Sequence, residues 1–126
     1  MLSTEDPDQA IQSVMRTLIA SAITTNLGRC VVLDRALSAL ERGDATVELL
    51  AEGEHAAHQV VGSAGTFGFP HVSELATRLQ AYLTDVAAPE SAGDSAAADL
   101  AQARGWLTQI QEELQRGSAG GHQPER

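Results

Sequence analysis

Read by polarity alone, the chain is a succession of helical stripes without the alternating runs that strands need. From about Asp8 to Thr25, Ile11, Val14, Met15, Leu18, Ala22 and Ile23 recur at steps of three and four, which gathers them on one helical face. Asp6 before Pro7 supplies an N-cap followed by proline at the first helical position. Asn26, Leu27 and Gly28 read as a break, with a bent continuation as the alternative. A second stretch, from about Arg29 to Arg42, sets Val32, Leu33, Ala36, Leu37 and Leu40 on one side and stops at Gly43. Asp44 is the expected cap of a third, longer helix from about Ala45 to Phe67, with Leu50, Gly53, Ala57, Val60, Ala64 and Phe67 inward. Gly68 and Pro70 end it, and a fourth helix from about His71 to Val86 turns Val72, Leu75, Ala76, Leu79 and Leu83 inward. After a loop from Ala87 to Gly93, Asp94 or Ser95 opens a fifth helix to about Arg116. That helix packs Ala98, Leu100, Leu107, Ile110 and Leu114, with Trp106 half-buried beside them.

Short connections between such helices imply antiparallel neighbours. The expected fold is all-α: an antiparallel four-helix bundle with an additional N-terminal helix, one domain over residues 1–116. The remainder, 117–126, has no apolar residue larger than alanine and is expected to be a disordered tail. Composition agrees, since 126 residues with 43% apolar suffice for one core, and aromatics are only 3%.

Charge narrows the partners. Seventeen acidic residues against eight basic ones give a net charge of -9, with the basic residues scattered singly, which argues against nucleic acid and anionic membrane surfaces. All the basic residues are arginine; there is no lysine. A single cysteine, Cys30, excludes an internal disulfide and reads as a small buried residue. The acidic N-terminus is unlike a secretory signal and no apolar run approaches a membrane span, so a cytoplasmic protein is expected. The initiating Met and polar tail favour a freestanding chain, and monomer is the default because no heptad seam is left over.

The third helix carries a conflict. Gly62 and Gly65 stand in its interior, each costing roughly 1 kcal/mol relative to alanine. Both lie on the face of His58, C-terminal to it, while the stripe through Ala57, Val60 and Ala64 lies to one side. His58 is therefore expected to point away from the core beside a side-chain-poor surface. Such a surface admits another protein's active site, whereas helical amides are already bonded and make no phosphate cradle. Imidazole, with an ordinary pKa of about 6.5, offers a neutral nucleophilic nitrogen at cellular pH without a general base.

The other candidates are weaker. His55 stands one turn earlier, and the pair with His58 has metal-like spacing, but no further ligand beyond Glu54 is evident. His71 is most simply an exposed helix-start residue and His122 lies in the tail. Glu48, Glu52 and Glu54 read as a solvated acidic face, Ser63 as a small packing or backbone-bonding residue, and Phe67 and Phe69 as core plugs. No clustered set of acids, bases and ligands suggests a self-contained enzyme.

The run from His58 to Phe69, HQVVGSAGTFGF, resembles the signature of histidine-containing phosphotransfer (HPt) domains. There a histidine is followed by an apolar residue two places on and a Gly-Ser pair four and five places on. The flanking Leu37-Ser38-Ala39-Leu40 with Gly43-Asp44, and Ser73 to Leu79, are similar to the helices on either side. The resemblance implies a phosphorelay carrier, not an enzyme with a complete active site. His58 would accept a phosphoryl group from an aspartate of a response-regulator receiver domain and return it to another, with a hybrid sensor kinase as a further partner. It places partner docking around Glu54, His55, Gln59, Val61, Gly62 and Gly65, Gly62 being where a small residue admits the receiver. No cofactor of its own is implied; Mg²⁺ is expected on the receiver. The chain departs from many members at Val61, where a lysine is common. That departure motivates an alternative, a non-phosphorylated adaptor binding a receiver or partner helix through the same face.

Overall fold

The computed structural model, which describes residues 7–88 and 96–120, consists of helices α1 (Pro7–Arg42), α2 (Val47–Thr66), α3 (Pro70–Ala87) and α4 (Ala96–Gly120). The expected all-α bundle is present. Each helix packs on its sequence neighbours, and α1 closes the ring against α4. The first two predicted stretches are one helix of 36 residues, the continuation the sequence also allowed, so the additional N-terminal helix is the first half of α1. Asn26 explains the absence of a break: it lies in register with Ile23, Cys30, Leu33 and Leu37 and is 1% exposed. A single helical glycine at Gly28 costs only about 1 kcal/mol, too little to end a helix held by packing on both sides.

The turns follow their residues. Gly43 and Gly68 take positive φ values of 80° and 89°, which lets Asp44 N donate to Ala39 O at 3.0 Å and Phe69 N to Ala64 O at 2.8 Å. The cap of α2 is Thr46, not Asp44: its side chain accepts from Leu49 N at 3.1 Å. Asp44 is still inside the Gly43 turn and pairs with Arg42 at 3.2 Å, so the helix starts two residues later than its acidic candidate cap suggested. Pro70 opens α3, where its missing N–H leaves no bond unmade.

The inward stripes of α3 and the second half of α4 are buried as expected, together with Leu33, Leu37 and Val60. Val32, Leu40, Phe67 and Leu100 are only half-buried. Gly53 marks the closest approach of three helices, since a Cβ there would stand 2.9 Å from Ala36 Cβ and 3.2 Å from Leu83 Cδ1. Gly53→Val is expected to destabilise by about 2–3 kcal/mol and lower the melting midpoint by about 10 °C. An unchanged midpoint in a thermal melt would show that α1 and α3 do not meet over this residue.

Cys30 lies fully inside the core, and burial pushes its thiol up from 9.0 to about 12. The native thiol is therefore expected to resist iodoacetamide at neutral pH and to react only on unfolding. Because the folded-state value is raised, the linked stability is fully present below pH 9.0 and is lost between there and about 12. Tyr82, raised by burial and by the charge of Asp99, acts in the same direction.

Two expectations need correction. Ile11, Val14, Met15 and Leu18 read as one amphipathic face with Ala22 and Ile23, but they are 61%, 58%, 44% and 45% exposed. At 1.5 Å per residue α1 is roughly 54 Å long against roughly 30 Å for α2, so its first turns overhang the bundle. The C-terminal boundary also moves, because α4 continues past Arg116 to Gly120. Gly117 lies so close to Phe69 that a Cβ would meet the ring at 2.8 Å. Residues 121–126, the rest of the expected tail with His122, lie outside the described residues, as do Asp6, Asp94, Ser95 and the side chain of Ala98.

Candidate functional site

On α2 the buried series Leu50, Gly53, Ala57, Val60 and Ala64 turns the opposite side of the helix outward. His55, His58, Gln59, Gly62 and Gly65 are exposed there, as their spacing from that series requires. Around Gly62 a Cβ would find nothing within 4 Å, and at Gly65 only Ser73 Oγ at 3.6 Å, an ordinary contact. The chain's own packing therefore demands neither glycine. Gly28 and Gly105 are equally open on other helices; what sets Gly62 apart is its place one turn from an exposed imidazole.

Two of the expected docking residues sit elsewhere, in the seam with α3. Val61 is half-buried against the core, and its carbonyl accepts from Ser73 Oγ at 2.8 Å. Glu54 is half-buried and accepts from Thr84 Oγ1 at 2.6 Å. Both fix α3 beside the His58 face, so their side chains contribute less open surface than their positions in the motif suggested. Gly62 O accepts from Thr66 Oγ1 at 2.9 Å, which ties off the last turn.

The same seam brings in a residue that the motif did not indicate. Gln80 of α3 places Nε2 3.4 Å from His58 Nδ1. An amide serves either tautomer, because rotation about its last bond exchanges Nε2 for Oε1. With Oε1 turned to Nδ1–H, the free lone pair falls on the other ring nitrogen, Nε2. Nothing near Gln80 in the sequence announces this, since it lies 22 residues from His58 and on another helix.

On the opposite flank, Asn26 of α1 reaches α2. Its Nδ2 donates to Ser63 Oγ at 3.1 Å, and its Oδ1 accepts from Arg29 at 2.8 Å. The orientation of this amide is settled chemically, because a guanidinium has no acceptor and must face oxygen. Ser63 thus bonds a neighbouring helix, not its own backbone. The signal in the sequence for Asn26 was its register with Ile23 and Cys30.

His71 is exposed and pairs with Glu113 of α4. No three His, Cys, Asp or Glu side chains converge as a cage for a metal ion among the described residues. Nor, among the described residues, is any helix long and apolar enough to cross a membrane.

The chain's chemistry is thus one exposed imidazole with an amide behind it and bare backbone beside it. One protein-family model, described as the Hpt domain, matches residues 11–119, from the first turns of α1 to the last of α4. Neither the curated proteins nor the solved structures gave a significant match.

Proposed function

The chain belongs to the Hpt domain family, and from that premise we propose that it carries a phosphoryl group on His58 in a cytoplasmic phosphorelay. Nε2 attacks the phosphorus of a receiver domain's aspartyl phosphate; the N–P bond forms as the P–O bond to aspartate breaks, and the carboxylate leaves. A second receiver reverses the step, its aspartate taking the phosphoryl group from the imidazole. Turning the Gln80 amide so that Oε1 accepts from Nδ1–H would hold the lone pair on Nε2 during attack.

The observation that carries this reading is Gly62. A helix-interior glycine costs about 1 kcal/mol relative to alanine, yet no neighbour within 4 Å requires it. The demand for bare backbone comes from outside the fold, from a partner that must approach His58 closely. Glu54 and Val61 shape the seam behind this surface, while His55, Gln59, Gly62 and Gly65 form its open part. The receiver supplies Mg²⁺ and the acidic pocket, so this protein needs a nucleophile and a surface but no complete active site. It acts as a monomer, with a hybrid sensor kinase as a second source of phosphoryl groups.

The test is transfer of acid-labile phosphate from a phosphorylated receiver domain, freed of its small-molecule donor, to the wild-type chain and to His58→Gln. A second reading, a non-phosphorylated adaptor, draws on Val61: that position packs inward and brings no charge to His58. Receiver binding that is indifferent to His58→Gln, with no label on the wild type, would favour the adaptor.

A further inference from the structure

Arg29 is the one half-buried arginine among the described residues that has no carboxylate partner. Arg42 pairs with Asp44, Arg78 with Glu74, and Arg104 with Asp34 and Glu41. Arg16, Arg35 and Arg116 are exposed. Arg29 instead rests on the neutral Oδ1 of Asn26 at 2.8 Å, and Asn26 is itself 1% exposed and anchored to Ser63. In a chain with net charge -9, a partly desolvated cation held by a buried amide, with no acid beside it, is an unmet demand for an anion.

Its position says whose anion. Arg29 lines a groove of about 340 Å³ between α1 and α2, together with Gln59, Ser63, Phe67, Ala22 and Leu18. Gln59 is the neighbour of His58, so a protein docked over His58 also covers this groove, given a usual footprint of about 800 Å² per partner. The groove is graded, with apolar Leu18, Ala22 and Phe67 on one side and the guanidinium on the other.

We propose that Arg29 is a docking residue that receives a carboxylate of the receiver domain, while an apolar side chain of the same partner covers Leu18 and Phe67. The inference rests on the phosphorelay reading and adds to it the chemistry that selects the partner. Asn26 pre-orients the guanidinium, so little side-chain freedom is lost when the partner arrives.

The experiment uses the full chain and an unphosphorylated receiver domain already found to transfer phosphate to it. Arg29→Gln is expected to weaken the receiver complex about tenfold to a hundredfold, and Arg29→Glu further. Added salt is expected to weaken wild-type binding more than that of Arg29→Gln. The half-life of phosphohistidine on the isolated chain is expected to be unchanged. Wild-type affinity in Arg29→Gln overturns the proposal. So does unchanged affinity with an altered phosphohistidine half-life, which would assign Arg29 to the phosphoryl group. If no receiver domain transfers phosphate to the wild type, the phosphorelay reading itself fails, and this is seen before any Arg29 variant is made.

Discussion

His58→Gln is expected to keep the four-helix fold and to take up no acid-labile phosphate. The side chain is exposed, and among the described residues its hydrogen-bond contact is Gln80 at 3.4 Å. Its replacement by a residue of similar length therefore changes stability by no more than about 0.5 kcal/mol. The chemical loss is complete, because an amide nitrogen has no lone pair available for attack on phosphorus. His55→Gln is the control: His55 is exposed one turn away on the same helix, and label should persist in that variant. Circular dichroism together with phosphate transfer to both variants checks the prediction. Label retained on His58→Gln, or lost from His55→Gln alone, would move the acceptor to another residue.

Gly62→Leu is expected to separate stability from function. A Cβ at this position meets nothing within 4 Å, and a leucine restores helix propensity, so the melting midpoint should rise by a few degrees, for a gain of about 0.5–1 kcal/mol. Phosphoryl transfer should fall by about a hundredfold, because a side chain beside the imidazole holds the aspartyl phosphate out of line by an ångström or more. Gly105→Ala provides the comparison. That glycine is just as open but lies on α4, the helix diagonal to α2 in the bundle, and it should gain stability with transfer unchanged. Transfer at the wild-type rate in Gly62→Leu would remove the main support for a docking surface at His58.

Some of this was legible along the chain because helical periodicity is local. The buried series of α2 from Leu50 to Ala64 places His58 and Gly62 outward by geometry alone, and the stops at Gly43 and Gly68 follow from the one residue type that takes positive φ freely. Other features were not legible, for reasons particular to each. Ile11, Val14, Met15 and Leu18 form as regular a stripe as any, but periodicity states which face is apolar and is silent on what covers it. Asn26 has turn propensity and core register at once, and only the presence of Ser63 and Arg29 at hydrogen-bonding distance decides for the helix. Asp44 and Thr46 were both competent caps, and the turn at Gly43 selected between them.

For the site, the sequence alone placed the proposed nucleophile and the bare surface beside it, since His58, Gly62 and Gly65 share one helix and their relation depends only on its pitch. It also pointed to the family, through the continuous run from His58 to Phe69. The tertiary structure decided what stands behind and beside that face: Gln80 at the imidazole, Glu54 and Val61 in the seam, and the groove of Arg29 and Asn26 on the far flank. These groups reach the site from α1 and α3, and contacts between helices depend on how far each helix extends and how closely it packs. A close approach such as that at Gly53 is created only when three helices meet.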